Sequence, residues 1–456
     1  MYADVTDRLC AAYAAIGFDD LPASTVAACS RVLLDASGVM MAASGMAPEA
    51  RPFIDLAAKS PGPCTILGTG LTAAAPQAAF ANGALAHALD YEDAFDAAPA
   101  HPNASLVPAL LALAQDRGGV DGKRLVTALA LGCDLSCRIG LALDRRMEEG
   151  GWYPPPINAA FGAALGAAHM LGLDARGLRD AISMMLCQAV MPGEIKYSRG
   201  TVLRAVREAF PAQAAVTSAE LAASGVAGFE TPLEGQSGFY ALFAGGAFSP
   251  ERLVEGIGER FFIEELTFKP WPSCRGTHPF IEIGLALAKT DPSMIESIEV
   301  EVSAVQQMLV DPLDRKRAPD VVIDAKFSIP FVMALAIVRG RVTLDDFAPA
   351  SLQDPVIRAM ARRISAKVVE NSVLDSGAGG AASVRLTDGT RQRHTIPVAR
   401  GAPSRPLGDD ELVAKFVDCA SRAAIRPDAD RIDRLADAAK NIHEIKEVRS
   451  LFVPLT

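Results

Sequence analysis

The chain has 456 residues, half of them hydrophobic, and a formal net charge of −10. At ~150 residues per domain this length holds two to three domains, and the apolar share supplies a sizeable core and excludes a disordered chain. The acidic balance, with no Lys/Arg run longer than three residues, excludes a nucleic-acid-binding surface but leaves room for a local cation cluster that takes a small anion.

Residues 5–45 place apolar side chains three and four apart (Leu9, Ala12, Ile16, then Val26, Cys29, Val32, Leu33), which predicts amphipathic helices. Pro61-Gly62-Pro63 breaks the pattern, and Thr65–Gly68 reads as a short extended piece. From Ala74 to Leu173 the helical signal dominates, punctuated at Gly118-Gly119, Gly150-Gly151 and Pro154-Pro155-Pro156. Within residues 158–171, Ala159, Ala163 and Ala167 form a stripe beside Gly162 and Gly166; small residues four apart let backbones approach, so this is a central packed helix. Further helical runs cover 178–189 and 205–223.

Near Phe261 the character changes. Residues 297–303 alternate strictly, as a half-buried strand does, and 383–386 and 391–396 flank Thr387-Asp388-Gly389-Thr390, a hairpin signal. Helices are expected over 325–338 and 355–364, and again over 411–420 and 427–445. The expected fold is mainly α with an inserted α+β domain: a large all-helical domain from residues 1–260 and 401–456, and a smaller α+β lid domain from 261–400.

Eight scattered cysteines form no CxxC and suggest no disulfide framework. The N-terminus lacks a signal pattern, and the charge-free stretches 60–89 and 151–173 are broken by prolines before reaching a span of ~20 apolar residues. The expectation is a cytoplasmic protein without a membrane or nucleic-acid partner. No HExxH, P-loop or strand–GxGxxG–helix pattern is present, so neither metal nor cofactor is expected.

The stretch Asn82–Gln115 carries the most chemistry. An Ala-rich helical run ends in Asp90, Glu92 and Asp93, and His101-Pro102-Asn103 opens the next apolar run. Charge at the ends of buried helices is costly unless paired or used. Tyr153 stands before the small-residue helix, where its hydroxyl can donate to a substrate. Lys196, Arg199 and Arg204 precede another helix and suit carboxylate capture. Lys269-Pro-Trp-Pro-Ser-Cys274-Arg275-Gly-Thr-His278 invites a Cys–His nucleophile, although that spacing needs a helix and Gly276 intervenes. His87 and His169, on apolar helices, read as satisfied core residues.

The motifs AHALDYED, HP followed by LVPALLALA, FGAALGAAHMLGLD, PLEGQSGF, KPWPSCRGTH, AKFSIPF and RGAPSRPL occur in one order along the chain. In that order they resemble the MmgE/PrpD family, which contains 2-methylcitrate dehydratases, cis-aconitate decarboxylases and iminodisuccinate epimerases. The resemblance implies a helical domain with an α+β lid, a cleft site without metal or cofactor, a homodimer, and a small di- or tricarboxylate substrate. It implies catalytic roles for Asp90, His101, Lys196 and Lys269, with Tyr153 replacing a family histidine. Arg275, Cys274, Arg199 and His278 are expected on the substrate-binding side, Cys274 where the decarboxylases have histidine. Ala94 stands in place of their threonine and Phe331 in place of a common tyrosine. The expected function is therefore a metal-free hydro-lyase that eliminates water from a citrate-like acid, with epimerase, decarboxylase and non-catalytic binder as alternatives. In this reading Asp90 orients His101 or acts as base, and Glu92 is solvated.

Overall fold

The computed structural model describes residues 4–198, 201–370 and 377–451. They form two compact units, Met1–Leu266 with Gly408–Thr456, and Thr267–Leu407.

The first unit is helical. Its first part holds α1 (Val5–Ala14), α2 (Ala23–Met46), α3 (Arg51–Ala57), α4 (Ala75–Ala88), α5 (Pro102–Arg117), α6 (Gly122–Leu141), α7 (Pro154–Met170), α8 (Ala175–Leu186), α9 (Leu203–Val206) and α10 (Ala209–Ala223). A small antiparallel pair, β1 (Cys64–Ile66) and β2 (Leu71–Ala73), lies between α3 and α4. The central helix is α7, which packs on α5, α6, α8 and α10. Its glycine stripe is the reason: a Cβ on Gly162 would collide with the Gly132 carbonyl and the Ser136 hydroxyl of α6, so only glycine permits that approach.

α2 is, among the described residues, the one helix long and apolar enough to cross a membrane, but 78% of its apolar window is buried in the protein. Asp35 in its middle is paired with Lys415 Nζ at 2.7 Å. The charge-free stretches singled out from sequence missed this helix, because one acid, one arginine and several serines interrupt its run. Lys415 sits on the helix Asp409–Ala420, which packs along α2 and so ties the C-terminal part of the chain to the first unit.

The second unit carries a four-stranded sheet in the order β4-β3-β5-β6, built from β3 (Ile295–Val302), β4 (Ile364–Val368), β5 (Gly380–Leu386) and β6 (Arg391–Ile396). β3 pairs parallel to β4 and antiparallel to β5, and β5–β6 is the hairpin across the Asp-Gly turn. The helix expected to run to residue 364 stops at Arg362, and Ile364 begins β4 instead. The helix expected over 325–338 is split, because the Ser328 hydroxyl accepts from Phe331 N (3.1 Å) and caps a new helix, Ile329–Arg339, with Pro330 in its first turn.

Candidate active site

α4 ends at a turn in which Asp90 takes a left-handed backbone (φ +50°), its N–H donating to the His87 carbonyl at 2.7 Å. Asp tolerates this conformation better than most side chains, and it redirects the chain off the helix. The following loop closes on itself through Phe95 N donating to Ala100 O (3.1 Å), and His101 is the N-cap residue of α5. The loop is sealed: Asp90, Glu92, Asp93, Ala94 and Asn103 are all buried. Lys415 donates to the Tyr91 carbonyl (2.8 Å) and sits 3.7 Å from its ring centroid, holding the loop from outside.

Glu92 is not solvated, contrary to the sequence reading; it is 1% exposed. Its Oε1 lies 2.5 Å from His87 Nδ1 and 3.0 Å from His101 Nδ1. His101 Nδ1 also faces the Asp93 carbonyl at 2.8 Å. Glu92 and the Asp93 backbone therefore orient His101. Its side chain remains 16% exposed, and its Nε2 makes no hydrogen bond among the described residues. His87, read from sequence as a core residue, belongs to this cluster: its ring stands 5.5 Å from that of His101, and its Nε2 receives a hydrogen bond from Arg207 Nη1.

The cations come from α9 and the turn between it and α10. Arg204 and Arg207 are buried, and Glu208 beside them takes a hydrogen bond from Ser105 (2.5 Å) and an ion pair from Arg207 Nε (3.0 Å). Tyr153, at the N-cap of α7, is buried with Lys196 Nζ and the Arg207 guanidinium each 5.1 Å from its ring centroid and Arg204 at 6.0 Å. Lys196 is more peripheral: its Nζ is 4.0 Å from Glu148, and burial lowers its pKa against the pull of that carboxylate. Sequence reasoning noted Arg204 and passed over Arg207 and Glu208; the Arg204–Arg207 spacing of one helical turn is the signal that points both inward. Arg199 lies outside the described residues.

Burial sets the protonation states. It holds the His87 imidazole down at about 4, with Arg207 adding to the effect. It pushes Asp93 up to about 7, helped by Asp35 and opposed by a hydrogen bond from Asn103 Nδ2 (3.0 Å). Glu208 is raised by burial despite Arg207. For Arg207, burial opposes the charge, but Tyr153, Glu208, Glu92 and Asp90 outweigh it and hold the guanidinium protonated. Perturbed groups gathered in one place mark a functional site.

His87, Asp90 and Glu92 also bring ligand-type atoms within 4.8 Å of one another. The set does not suit a cation: Nδ1 of His87 is spent on Glu92 and Nε2 on Arg207, whose buried positive charge would face the ion.

The remaining expected residues lie in the second unit. Lys269 is fully buried. Arg275 is 8% exposed and donates to the carbonyls of Arg400 (2.8 Å) and Ala399 (3.0 Å). Cys274 precedes a one-turn 3-10 helix, Arg275–Thr277, and its N–H donates to Lys326 O. His278 is buried edge-on to Trp271, with Nε2 at 3.2 Å from Ser273 O and Nδ1 at 3.4 Å from Arg275 Nη1. Phe331 is fully buried in the first turn of Ile329–Arg339.

The model of the MmgE/PrpD N-terminal domain matches residues 7–251, and that of the MmgE/PrpD C-terminal domain matches residues 271–441. The chain belongs to the MmgE/PrpD family. Among curated proteins it is 24% identical to a cis-aconitate decarboxylase-like protein of Aspergillus oryzae, over 98% of this chain and 96% of that one. It is 22% identical to a cis-aconitate decarboxylase of Aspergillus terreus, over 98% and 95%. The mouse cis-aconitate decarboxylase is 23% identical, over 81% of this chain and 76% of its own length. The two domain models carry the family assignment, and the relatives at 22–24% identity are named for acting on cis-aconitate or as resembling proteins that do.

Proposed function

We propose that this protein is a lyase acting on a small polycarboxylate, and that it eliminates water from a citrate-like hydroxy acid. The observation that carries the reading is His101: partly exposed, its Nδ1 engaged by Glu92 and Asp93, and its Nε2 without a hydrogen-bond partner among the described residues. Such an imidazole has the geometry to take a proton from a bound substrate. Behind it lies Arg207, buried, with Nη2 unpartnered among the described residues.

In this reading His101 Nε2 takes the proton from the carbon beside a carboxylate. Negative charge then grows on the oxygens of that carboxylate, where Arg204 and Arg207 stabilise it. The hydroxyl on the neighbouring carbon leaves as water, carrying a proton from Tyr153, and a carbon–carbon double bond remains. Tyr153 regains its proton from solvent, and His101 releases the one it took.

Decarboxylation is the second reading, favoured by the named activity of the relatives. There the bond to carbon dioxide breaks and protonated His101 supplies the proton that replaces it. Ala94 and Phe331, where the resemblance leads to threonine and tyrosine, favour dehydration. The family resemblance also underlies the proposal of a homodimer, which light scattering on the purified protein tests.

Proton NMR of the protein with a panel of hydroxy- and unsaturated di- and tricarboxylates tests the reaction. An alkene signal with loss of the hydroxyl-bearing carbon supports dehydration. A new methylene with carbon dioxide release supports decarboxylation instead. No change in any acid, with the protein folded, rejects both.

A further inference from the structure

The acid–imidazole cluster contains a chain of hydrogen bonds whose direction is fixed by its two ends. A guanidinium only donates, so His87 Nε2, which faces Arg207 Nη1, must be the bare nitrogen. The proton of His87 therefore sits on Nδ1 and is donated to Glu92 Oε1. A carbonyl only accepts, so His101 Nδ1, 2.8 Å from the Asp93 carbonyl and 3.0 Å from Glu92 Oε1, must carry its proton there. That leaves Nε2 of His101 bare.

We infer that Arg207 and His87 are positioning residues: they fix Glu92 as an aimed, anionic acceptor, and so hold His101 in the one neutral tautomer that presents Nε2 as a base. His87 touches no substrate in this arrangement; it acts through Glu92. Its role rests on the proposed function only in what the base is used for, since the tautomers follow from hydrogen-bond chemistry alone.

The charged surroundings are consistent with this polarity. His101 is faced by Glu92 and Asp93 from its own loop, by His87 from the end of α4, and by Glu208 from the turn before α10, while Arg207 and Asp90 act on His87. Arg207 is itself gripped by Glu208, which Ser105 of α5 holds in turn. A ring locked at both nitrogens and sealed from water, as His87 is, has no freedom to reverse the chain. The arrangement parallels the orienting carboxylate behind a general-base histidine, with a second imidazole added behind the carboxylate.

The test is nitrogen-15 NMR of the six histidines in the unliganded protein at pH 7.5, assigned by single replacements. The expected result is that His87 and His101 are both neutral Nδ1–H tautomers. An Nε2–H tautomer or a doubly protonated ring at either position overturns the inference, whatever the protein turns over. Two variants separate positioning from bulk. In His87→Asn the amide nitrogen stands near the place of Nδ1 and still donates to Glu92, so His101 keeps its tautomer and turnover falls less than about fivefold. In His87→Phe the donor is lost, His101 populates both tautomers, and kcat falls on the order of 10- to 100-fold at unchanged KM. Equal effects of the two variants would mean that His87 only fills space. Failure of the proposed reaction shows differently: no acid in the panel reacts, while the tautomers stay as assigned.

Discussion

Two buried groups of the site push stability in opposite directions with pH, and Asp93→Asn separates them. Asp93 titrates near 7 in the folded chain against 3.8 unfolded. Between those values the folded state holds a proton that the unfolded state has released, so this contribution is complete below pH 3.8 and is lost as pH rises through 7. The window spans about 3 pH units at about 1.4 kcal/mol each, or about 4 kcal/mol. His87 is the reverse: it titrates near 4 folded against 6.5 unfolded. Its contribution is present above pH 6.5 and is lost as pH falls towards 4, by about 3 kcal/mol. Over pH 4–6.5 the two slopes nearly cancel in the wild type. Asn at position 93 keeps an oxygen to accept from Asn103 and cannot ionise, so the variant unmasks the His87 slope. Denaturant unfolding at half-unit pH steps should show the stability of Asp93→Asn rising relative to wild type by about 4 kcal/mol from pH 4 to pH 7. His87→Asn should show the opposite, a relative fall of about 3 kcal/mol from pH 4 to 6.5. Parallel curves for wild type and Asp93→Asn would refute the assignment of a buried, protonated Asp93.

Three further outcomes follow from contacts outside the imidazole cluster. Arg138→Met breaks a buried ion pair with Asp134 (2.5 Å) and a bond to the Glu255 carbonyl, and should cost about 3–5 kcal/mol in denaturant unfolding because Asp134 stays buried without a counter-charge, held only by Tyr13 Oη–H and Phe262 N–H. Gly122→Ala puts a Cβ onto the Ile442 carbonyl; about 2–3 kcal/mol of lost stability is expected, with hydrogen exchange accelerated at residues 442–451. Cys274→Ser should retain turnover within about threefold, since the proposed proton carrier is an imidazole; a loss of a thousandfold or more would revive the thiol nucleophile.

The local parts of the architecture were legible in the sequence, and the long-range pairings were not. The Ala/Gly stripe of α7 announced a close helix approach because small residues at helical spacing admit little else. The Asp388-Gly389 turn announced the β5–β6 hairpin for an equally local reason. β4 was missed: five residues directly after a helix, paired in parallel with β3, leave no alternating pattern. His101 was found from its place before Pro102, yet Glu92, which holds its Nδ1, was read as solvated. Three acids at a helix end look like solvated loop residues. Their burial depends on Arg207, more than a hundred positions away, and on Lys415, more than three hundred away. A run of cations likewise does not say which ones turn inward: Lys196, Arg199 and Arg204 were named together, and the fully buried Arg207 was not.

The central claim is that His101 moves a proton at a carbon beside a carboxylate. Deuterium incorporation from D2O into a reactive tricarboxylate, followed by NMR in wild type and His101→Gln at matched folded concentration, tests it most directly. The account predicts label at that carbon with the wild type and a loss of two or more orders of magnitude in the variant. Equal labelling by both proteins would contradict it.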